Sequence, residues 1–197
     1  SPATSIEFTD RWNVHTPTKT IVCNKLALTC PAHAQAKLLK PIEPTISQQL
    51  EQIEYSPVVV VLLQFASEDL VTQPVGFGAL LTRQEQHTGL LGILFSSHLF
   101  PSRFASDTVA TRSILGGSIA PKIIGYSDEQ LIQITLDKHK KLFNSPNLMP
   151  TFVKVIRWSH GIPQYSIGHY ALQQHIHNFH KQHPTIRLSG NHIFGVS

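Results

Sequence analysis

The main shortage in this 197-residue sequence is of charge, above all of negative charge toward the C-terminus. Only 14% of the residues are charged, whereas an average soluble domain has about 25%. Residues 138–197 contain none of the 12 acidic residues but seven of the 16 Lys and Arg residues. Such a stretch favours an anionic partner, which could be anionic lipid, a carboxylated substrate or a cofactor phosphate. Few aromatic residues lie among these basic ones, which argues against nucleic acid. A merely solvated basic face stays open.

Cysteine is also scarce. Cys23 and Cys30 are too few for a disulfide framework, and their spacing matches no common metal motif. Free thiols that stay reduced are typical of the cytoplasm. We therefore expect two buried, reduced thiols in a cytoplasmic protein.

Long apolar runs are missing as well. A membrane-spanning helix needs about 18 or more apolar residues. The richest run here covers residues 58–63, and its β-branched side chains predict a buried strand. No secretory signal is visible. Because charge is low while 41% of the residues are hydrophobic, we expect much of the surface to be covered by a partner, a missing domain or a membrane.

Motifs for nucleophilic catalysis and phosphate binding are absent. The sequence has no G-x-S-x-G, no cysteine–histidine family signature and no P-loop. The run Gly76-Phe77-Gly78 begins like a dinucleotide fingerprint, but it lacks the third glycine and lies in a strand pattern. We accordingly assign no catalytic residue.

Periodicity of the apolar residues predicts the fold class. Strand-like segments form a block between residues 58 and 115, and others lie near both ends of the sequence. Helices are predicted after Pro31 and at two capping boxes, which begin at Thr45 and Ser127. Strands in a block with inserted helices predict an α+β fold with helices on one face of a sheet.

Histidine is abundant, with 12 copies. A helix predicted over residues 170–182 carries several of them, and pairs such as His177 and His180 could hold Zn²⁺ or Ni²⁺. No carboxylate lies nearby to orient such a ligand. We therefore expect a solvated polar face and assign no metal residue. A non-catalytic haem- or metal-binding protein stays the alternative function.

Several short segments, each unspecific alone, occur in one characteristic order. They are residues 27–32 (A-L-T-C-P-A), 76–81 (G-F-G-A-L-L), 91–97 (L-G-I-L-F-S-S), 100–101 (F-P), 115–117 (L-G-G), 162–169 (I-P-Q-Y-S-I-G-H), and Gly190-Asn191 with Gly195-Val196. In this order and spacing the sequence resembles the C-terminal half of the flavin-dependent porphyrinogen oxidases, which act on protoporphyrinogen or coproporphyrinogen. The match covers nearly the whole chain, and residues 162–169 are its most specific part.

The resemblance implies an amine-oxidase type of flavoprotein with a substrate-binding domain on a mixed β-sheet. It divides the chain into a partial FAD-domain segment (residues 1–44), a substrate-binding domain (45–169) and a C-terminal FAD-domain segment (170–197). The G-x-G-x-x-G turn for the FAD pyrophosphate is absent from the sequence, as are the family's helical region and its upstream arginine. We expect an inactive fragment that retains no FAD and whose partner is the missing N-terminal FAD domain.

In the complete enzyme the resemblance implies oxidation of protoporphyrinogen IX to protoporphyrin IX in haem and porphyrin biosynthesis, with molecular oxygen as the final acceptor. The choice between protoporphyrinogen and coproporphyrinogen stays open. So does a peripheral contact of this cytoplasmic chain with a membrane surface.

The resemblance also implies substrate-binding residues. A porphyrinogen site needs an apolar clamp for the ring and cations for the propionates. By motif match Leu80, Leu94 and Ile114 belong to the clamp, against the alternative of ordinary sheet core. Since strand residues two apart share a face, Arg112 is expected beside Ile114, where it could bind a propionate. The alternative is an arginine in solvent at the edge of the sheet.

Near the flavin, the resemblance places Gly190, Asn191, Gly195 and Val196. This stretch is expected to turn from a strand into a helix whose first amides approach the cofactor. Trp158 is also expected near the flavin, with a buried core tryptophan as the alternative.

Overall fold

The computed structural model describes residues 1–195 and shows ten strands and six α-helices among them. The strands are β1 (Ser5–Phe8), β2 (Trp12–His15), β3 (Thr20–Cys23), β4 (Leu26–Leu28), β5 (Tyr55–Ala66), β6 (Gly78–Leu80), β7 (Leu90–Leu94), β8 (Thr108–Gly116), β9 (Phe152–Pro163) and β10 (Ile186–Leu188). The helices are α1 (Ala32–Leu39), α2 (Pro44–Glu51), α3 (Ser96–Leu99), α4 (Asp128–Leu142), α5 (His169–Gln182) and α6 (Asn191–Phe194). None of these helices is both long and apolar enough to cross a bilayer.

The chain forms two compact units. The first, here called the terminal unit, combines Ser1–Glu54 with the chain from Pro163 onward. The second, the sheet unit, is Tyr55–Ile162. The sheet unit thus begins ten residues after the expected boundary at residue 44. It ends seven residues before the expected boundary at residue 169.

The sheet unit is built on five strands in the order β6-β7-β8-β5-β9. The pairs β6–β7, β7–β8 and β5–β8 are antiparallel. Their long strands form because β-branched and other apolar residues alternate or follow one another, as in the run from Val58 to Val61. Parallel pairing occurs between β4 and β10, which form a separate two-stranded sheet in the terminal unit. The α+β class is confirmed.

One face of the five-stranded sheet, called the covered face, packs against α4. The following residues of this face are buried: Val59, Val61, Leu63, Phe65, Ile93, Thr111, Ser113 and Leu115. From α4, Leu131 and Leu136 join the same apolar cluster. The helix begins where expected, because Ser127 and Gln130 form a reciprocal capping box.

The terminal unit contains the antiparallel sheet β1-β2-β3 and the parallel pair β4–β10. The amide nitrogen of the buried Gln35 donates to the carbonyl oxygens of Leu28 (3.0 Å) and Ser189 (2.8 Å), which ties α1 to the ends of both parallel strands. Leu172, Ile176 and Phe179 form the buried stripe of α5, as the spacing predicts.

Two local predictions are wrong. The predicted capping box at Thr45 does not form, because Pro44 already occupies the first turn and α2 starts after Glu43 without a side-chain cap. The cysteines are free, but both are half-buried rather than buried. Partial burial still raises the pKa of the Cys30 thiol.

Candidate functional site

The second face of the sheet brings the four predicted substrate residues together. Leu94 pairs with Arg112, Gly92 with Ile114 and Leu80 with Gly92, and paired residues project from the same face. On β5 the corresponding partners are Leu62, opposite Arg112, and Val60, opposite Ile114. We call this surface the open face, defined by these residues: Val60, Leu62, Leu80, Gly92, Leu94, Arg112 and Ile114.

The open face consists of two adjacent rows across four strands. The first row runs Leu80, Gly92, Ile114, Val60, and the second runs Gly78, Leu94, Arg112, Leu62. Neighbouring strands lie about 4.8 Å apart, and residues two positions apart along a strand about 7 Å. The rows therefore make an apolar platform interrupted by one guanidinium group.

Side chains on this platform are accessible. Leu80 is 90% exposed, Arg112 is exposed, and Val60, Leu62, Leu94 and Ile114 are half-buried. The alternative of ordinary sheet core thus fails for Leu80, since core residues are buried. The structure leaves this surface available to a ligand or to another part of a longer protein.

Strand β8 keeps the alternation on which the placement of Arg112 depends. A register shift occurs between Leu90 and Gly92, so the irregularity lies on β7 and not between Arg112 and Ile114. On the opposite side Thr111, Ser113 and Leu115 are buried. Arg112 and Ile114 thus share the other face, as the alternation predicts, whereas Ala110, which the same alternation places beside them, is buried.

Arg112 lies in the middle of the sheet, because β8 is the third of five strands. The alternative of an arginine at the sheet edge is therefore wrong. Within residues 1–195 its guanidinium has no hydrogen bond or ion pair. Arg157 of the same unit differs, since it contacts Asp128 at 2.6 Å and donates to the carbonyl oxygen of Tyr126 at 2.7 Å. Arg112 thus keeps five donors free for a carboxylate.

Gly92 shapes the platform, a role that the sequence did not reveal. A Cβ atom at this position would lie 3.1 Å from Cδ2 of Leu80 and 3.1 Å from the carbonyl oxygen of Ala79. The absent side chain therefore lets the Leu80 side chain lie over β7. Only the register of β6 against β7 discloses this contact.

The predicted flavin-contacting residues fall in two places. Trp158 lies on β9 and is 56% exposed, so the alternative of a buried core tryptophan is wrong. Gly190, Asn191 and Gly195 form a turn at the end of the terminal unit, where β10 leads into α6 as expected. Val196 lies outside the described residues.

This turn, residues 190–195, has glycines with positive φ at both ends: 147° at Gly190 and 86° at Gly195. A Cβ at Gly190 would lie 2.5 Å from Cε1 of His192, so a side chain there would clash. His192 is buried, and within the described chain its Nε2 has no hydrogen-bond partner. Burial, and then the neighbouring His169 and His33, lower the pKa of His192. The positive-φ glycines at both ends of the turn and an unpaired buried ring nitrogen fit a polar cofactor here.

Side chains before and within α5 hold the turn. The Tyr165 hydroxyl donates to the carbonyl oxygen of Asn191. The carbonyl oxygen of Ile193 accepts from His169 Nε2 at 2.9 Å and from Gln173 Nε2 at 2.6 Å. Tyr165 and His169 belong to the segment that carries the resemblance, but the sequence of that segment does not show which groups they bind. Nothing in the sequence pointed to Gln173.

Two other histidines of α5, His175 and His180, have structural partners. His180 Nε2 accepts the backbone N–H of Leu188 at 2.9 Å, and burial, Arg187 and His177 lower the pKa of His180. His175 Nδ1 lies 2.9 Å from Oε1 of Gln49. Across residues 1–195 no group of three or more His, Cys, Asp or Glu side chains could hold a metal ion.

Comparison with known proteins places this geometry in a family. Mitochondrial protoporphyrinogen oxidase from tobacco (Nicotiana tabacum) is 30% identical over 163 residues, which are 82% of this chain and 32% of the relative. The chain thus spans about a third of the length of the curated relatives that it matches.

Solved structures share the fold. A protein from Exiguobacterium sp. 255-15, provisionally named a protoporphyrinogen oxidase, superposes with a TM-score of 0.72 at 23% identity, over 100% of this chain and 42% of that one. Cyclohexylamine oxidase from Brevibacterium oxydans IH-35A gives a TM-score of 0.68 at 14% identity, over 98% of this chain and 42% of that chain. Residues 2–196 match the family of flavin containing amine oxidoreductases, and the chain belongs to that family.

Proposed function

We propose that the complete protein is an FAD-dependent porphyrinogen oxidase that converts protoporphyrinogen IX to protoporphyrin IX, with molecular oxygen as the final acceptor. In this proposal the sheet unit is the substrate-binding domain, and the terminal unit supplies two segments of the FAD-binding domain. The observation that carries the proposal is the open face, where Leu80, Leu94 and Ile114 share one accessible surface with an unpaired Arg112.

The chemistry of the substrate fits this surface. A porphyrinogen has a broad apolar ring with carboxylates at its rim, so it needs apolar contact area and a cation at a fixed distance. The leucines and Ile114 would bury the ring, and each square ångström of apolar area removed from water contributes about 25 cal/mol. Arg112 projects about 7 Å along β8 from Ile114, where its planar guanidinium can bind a propionate with two hydrogen bonds.

Bound FAD would accept the hydride equivalents that the porphyrinogen loses and pass the electrons to oxygen. The chain's own contribution is to bind and orient the ring and to exclude water from it. We propose that Gly190, Asn191, Gly195 and Val196 contact the flavin through the backbone, and that Trp158 lies near it. The glycines at both ends of the turn support this assignment, because glycine readily adopts this backbone and has no side chain to keep a cofactor away from it.

We also propose that these 197 residues alone neither retain FAD nor oxidise porphyrinogen. The support is the absence from the sequence of a G-x-G-x-x-G turn for the pyrophosphate. The check is an absorption spectrum of the purified 197-residue chain after incubation with FAD and gel filtration. Flavin bands at near-stoichiometric occupancy would contradict the proposal.

The function is tested by steady-state kinetics of an Arg112→Ala variant of the complete protein. Loss of a charge-assisted hydrogen bond costs about 1.5–3 kcal/mol, so KM for the porphyrinogen should rise by about tenfold or more. Flavin content and thermal stability should stay unchanged, since the Arg112 side chain is exposed and its guanidinium forms no hydrogen bond or ion pair within the described chain.

Arg83→Ala is the matched control, because Arg83 is also exposed in the sheet unit but lies outside the open face. Unchanged KM and kcat in the Arg112→Ala variant would show that the propionate binds elsewhere. No porphyrinogen oxidation by the complete wild-type protein would refute the function itself.

For cellular location we propose a cytoplasmic protein with a peripheral membrane contact. The low charge content supports a covered surface. Because the tobacco relative is named mitochondrial, an organelle is the competing location. Cell fractionation with antibody detection distinguishes soluble, salt-released and organellar pools.

A further inference from the structure

We infer that Tyr165, His169 and Gln173 are positioning residues that fix the turn at residues 190–195 in the geometry that binds the flavin. The inference rests on the proposed function, since it takes the turn to contact the cofactor. It adds three side chains for which neither the resemblance nor the spacing suggested a role toward the flavin.

The turn has little stiffness of its own. Glycines at both ends have positive φ, in regions that other residues rarely adopt, and glycine is also the residue most free to leave such a conformation. Between them α6 has only four residues, too few to be stable as an isolated helix. An external support is therefore needed if the backbone is to present one surface to a cofactor.

The three side chains provide that support at two successive points of the turn. Tyr165 donates to the carbonyl oxygen of Asn191, which also accepts the backbone N–H of Gly195 at 3.1 Å. His169 and Gln173 both donate to the carbonyl oxygen of Ile193. One carbonyl oxygen accepts two such bonds with its two lone pairs, and because it cannot donate, His169 must carry a proton on Nε2.

Spacing along the chain explains why these residues act together. They lie four positions apart, and residues four apart on a helix share a face, which places His169 and Gln173 side by side on α5. Tyr165 precedes the helix, and its ring packs on His169 with centroids 4.6 Å apart. The ring contact fixes both side chains, so that each reaches a different carbonyl.

Two neighbouring residues serve as matched controls. The side chains of Tyr170, which is 70% exposed, and Gln174, also exposed, form no hydrogen bond within residues 1–195. Tyr170→Phe and Gln174→Leu therefore make the same chemical changes as Tyr165→Phe and Gln173→Leu, on the same segment, without touching the turn.

The experiment measures FAD affinity and the visible circular dichroism of bound flavin in the complete protein. Each lost hydrogen bond should weaken FAD binding about fivefold, so Tyr165→Phe/Gln173→Leu should bind about 25-fold more weakly, with an altered flavin dichroism. The double control Tyr170→Phe/Gln174→Leu should match the wild type. His169→Gln, which keeps a donor, should bind FAD better than His169→Leu.

Two results for the double variant would overturn the inference while leaving the proposed function intact. One is unchanged FAD affinity and flavin dichroism in the double variant. The other is weaker binding accompanied by an equal loss of melting temperature in the FAD-free protein, with the dichroism of bound flavin unchanged, because the residues would then only stabilise the fold. If the complete wild-type protein binds no flavin, the proposed function fails, and this inference fails with it.

Discussion

The two faces of the five-stranded sheet are formed by the same strands but have different surroundings. On the covered face the side chains are buried, and the Thr111 hydroxyl is paired, lying 2.8 Å from His139 Nε2, whereas the Ser113 hydroxyl has no partner within the described chain. On the open face, one residue further along the same strand, Arg112 is exposed and unpaired within the described chain. The alternation of β8 therefore separates groups that complete the fold from groups available to bind something else.

The difference shows which residues of the sheet unit form contacts within the unit and which do not. Arg157 contacts a carboxylate and two carbonyl oxygens, so it contributes to the structure of the unit. Apart from Gly92, the apolar residues of the open face are half-buried or exposed, so their burial stays available to drive binding. Substitutions on the two faces should accordingly affect different measurements.

The largest effect is expected from truncating adjacent leucines of β5 in the complete protein. Leu63→Ala on the covered face should lower the free energy of unfolding by about 2–5 kcal/mol, because it leaves a cavity in a fully buried core. Leu62→Ala on the open face should cost less than about 1 kcal/mol. Urea unfolding measures both, and equal losses would show that the open face is also core.

The next effect is a pH dependence that comes from the covered face. Burial lowers the pKa of His139 from 6.5 to about 4, and its Nδ1–H donates to the carbonyl oxygen of Thr135 at 2.7 Å. Between these values the unfolded chain binds the proton and the folded protein does not, so stability falls as pH decreases from 6.5 to 4. A shift of this size corresponds to about 3 kcal/mol.

The check is urea unfolding of wild-type and His139→Gln protein at pH 7, 5 and 4. Other groups titrate equally in both proteins, so the difference between them isolates His139. His177→Gln, which changes an exposed histidine, is the control. Parallel pH profiles for wild type and His139→Gln would contradict a buried neutral imidazole.

The smallest effect should come from Gly92→Ala on the open face. The added methyl group would press on Leu80 Cδ2 and on the Ala79 carbonyl oxygen, both 3.1 Å away. Leu80 is exposed and can move, so we expect a stability loss of about 1 kcal/mol or less and a KM for the porphyrinogen raised about twofold to threefold. Gly125→Ala is the control, since no atom lies within 4 Å of a Cβ there. A KM equal to that of the control variant would exclude Gly92 from the site.

Much of the architecture could be predicted from the sequence because it depends on local periodicity. The strand and helix patterns gave the α+β class, the inward stripe of α5 and the capping box at Ser127. The placement of Arg112 beside Ile114 followed from the two-residue repeat of a strand. The false capping box at Thr45 shows the limit of a local rule, since the preceding proline set the helix start instead.

Contacts between distant segments could not be predicted in this way. Gly92 gains its role from the register of β6 against β7, and the partners of Tyr165 and Gln173 lie 26 and 20 positions away. Apolar periodicity also gives no information on which charged groups are paired, so the sequence could not distinguish the Arg112 guanidinium, which has no partner within the described chain, from that of Arg157, which has three. Such properties depend on which segments meet in the folded chain.

The terminal unit is assembled from the two ends of the described chain, and this has a consequence for biosynthesis. The indole nitrogen of Trp12 donates to the hydroxyl of Thr185, 173 positions later, and Gln35 reaches Ser189 across 154 positions. Closing such long loops is slow and entropically costly, whereas the sheet unit is continuous in sequence. We therefore expect the sheet unit to fold during translation. The pairing of β4 with β10 should form only after the segment that contains β10 has left the ribosome.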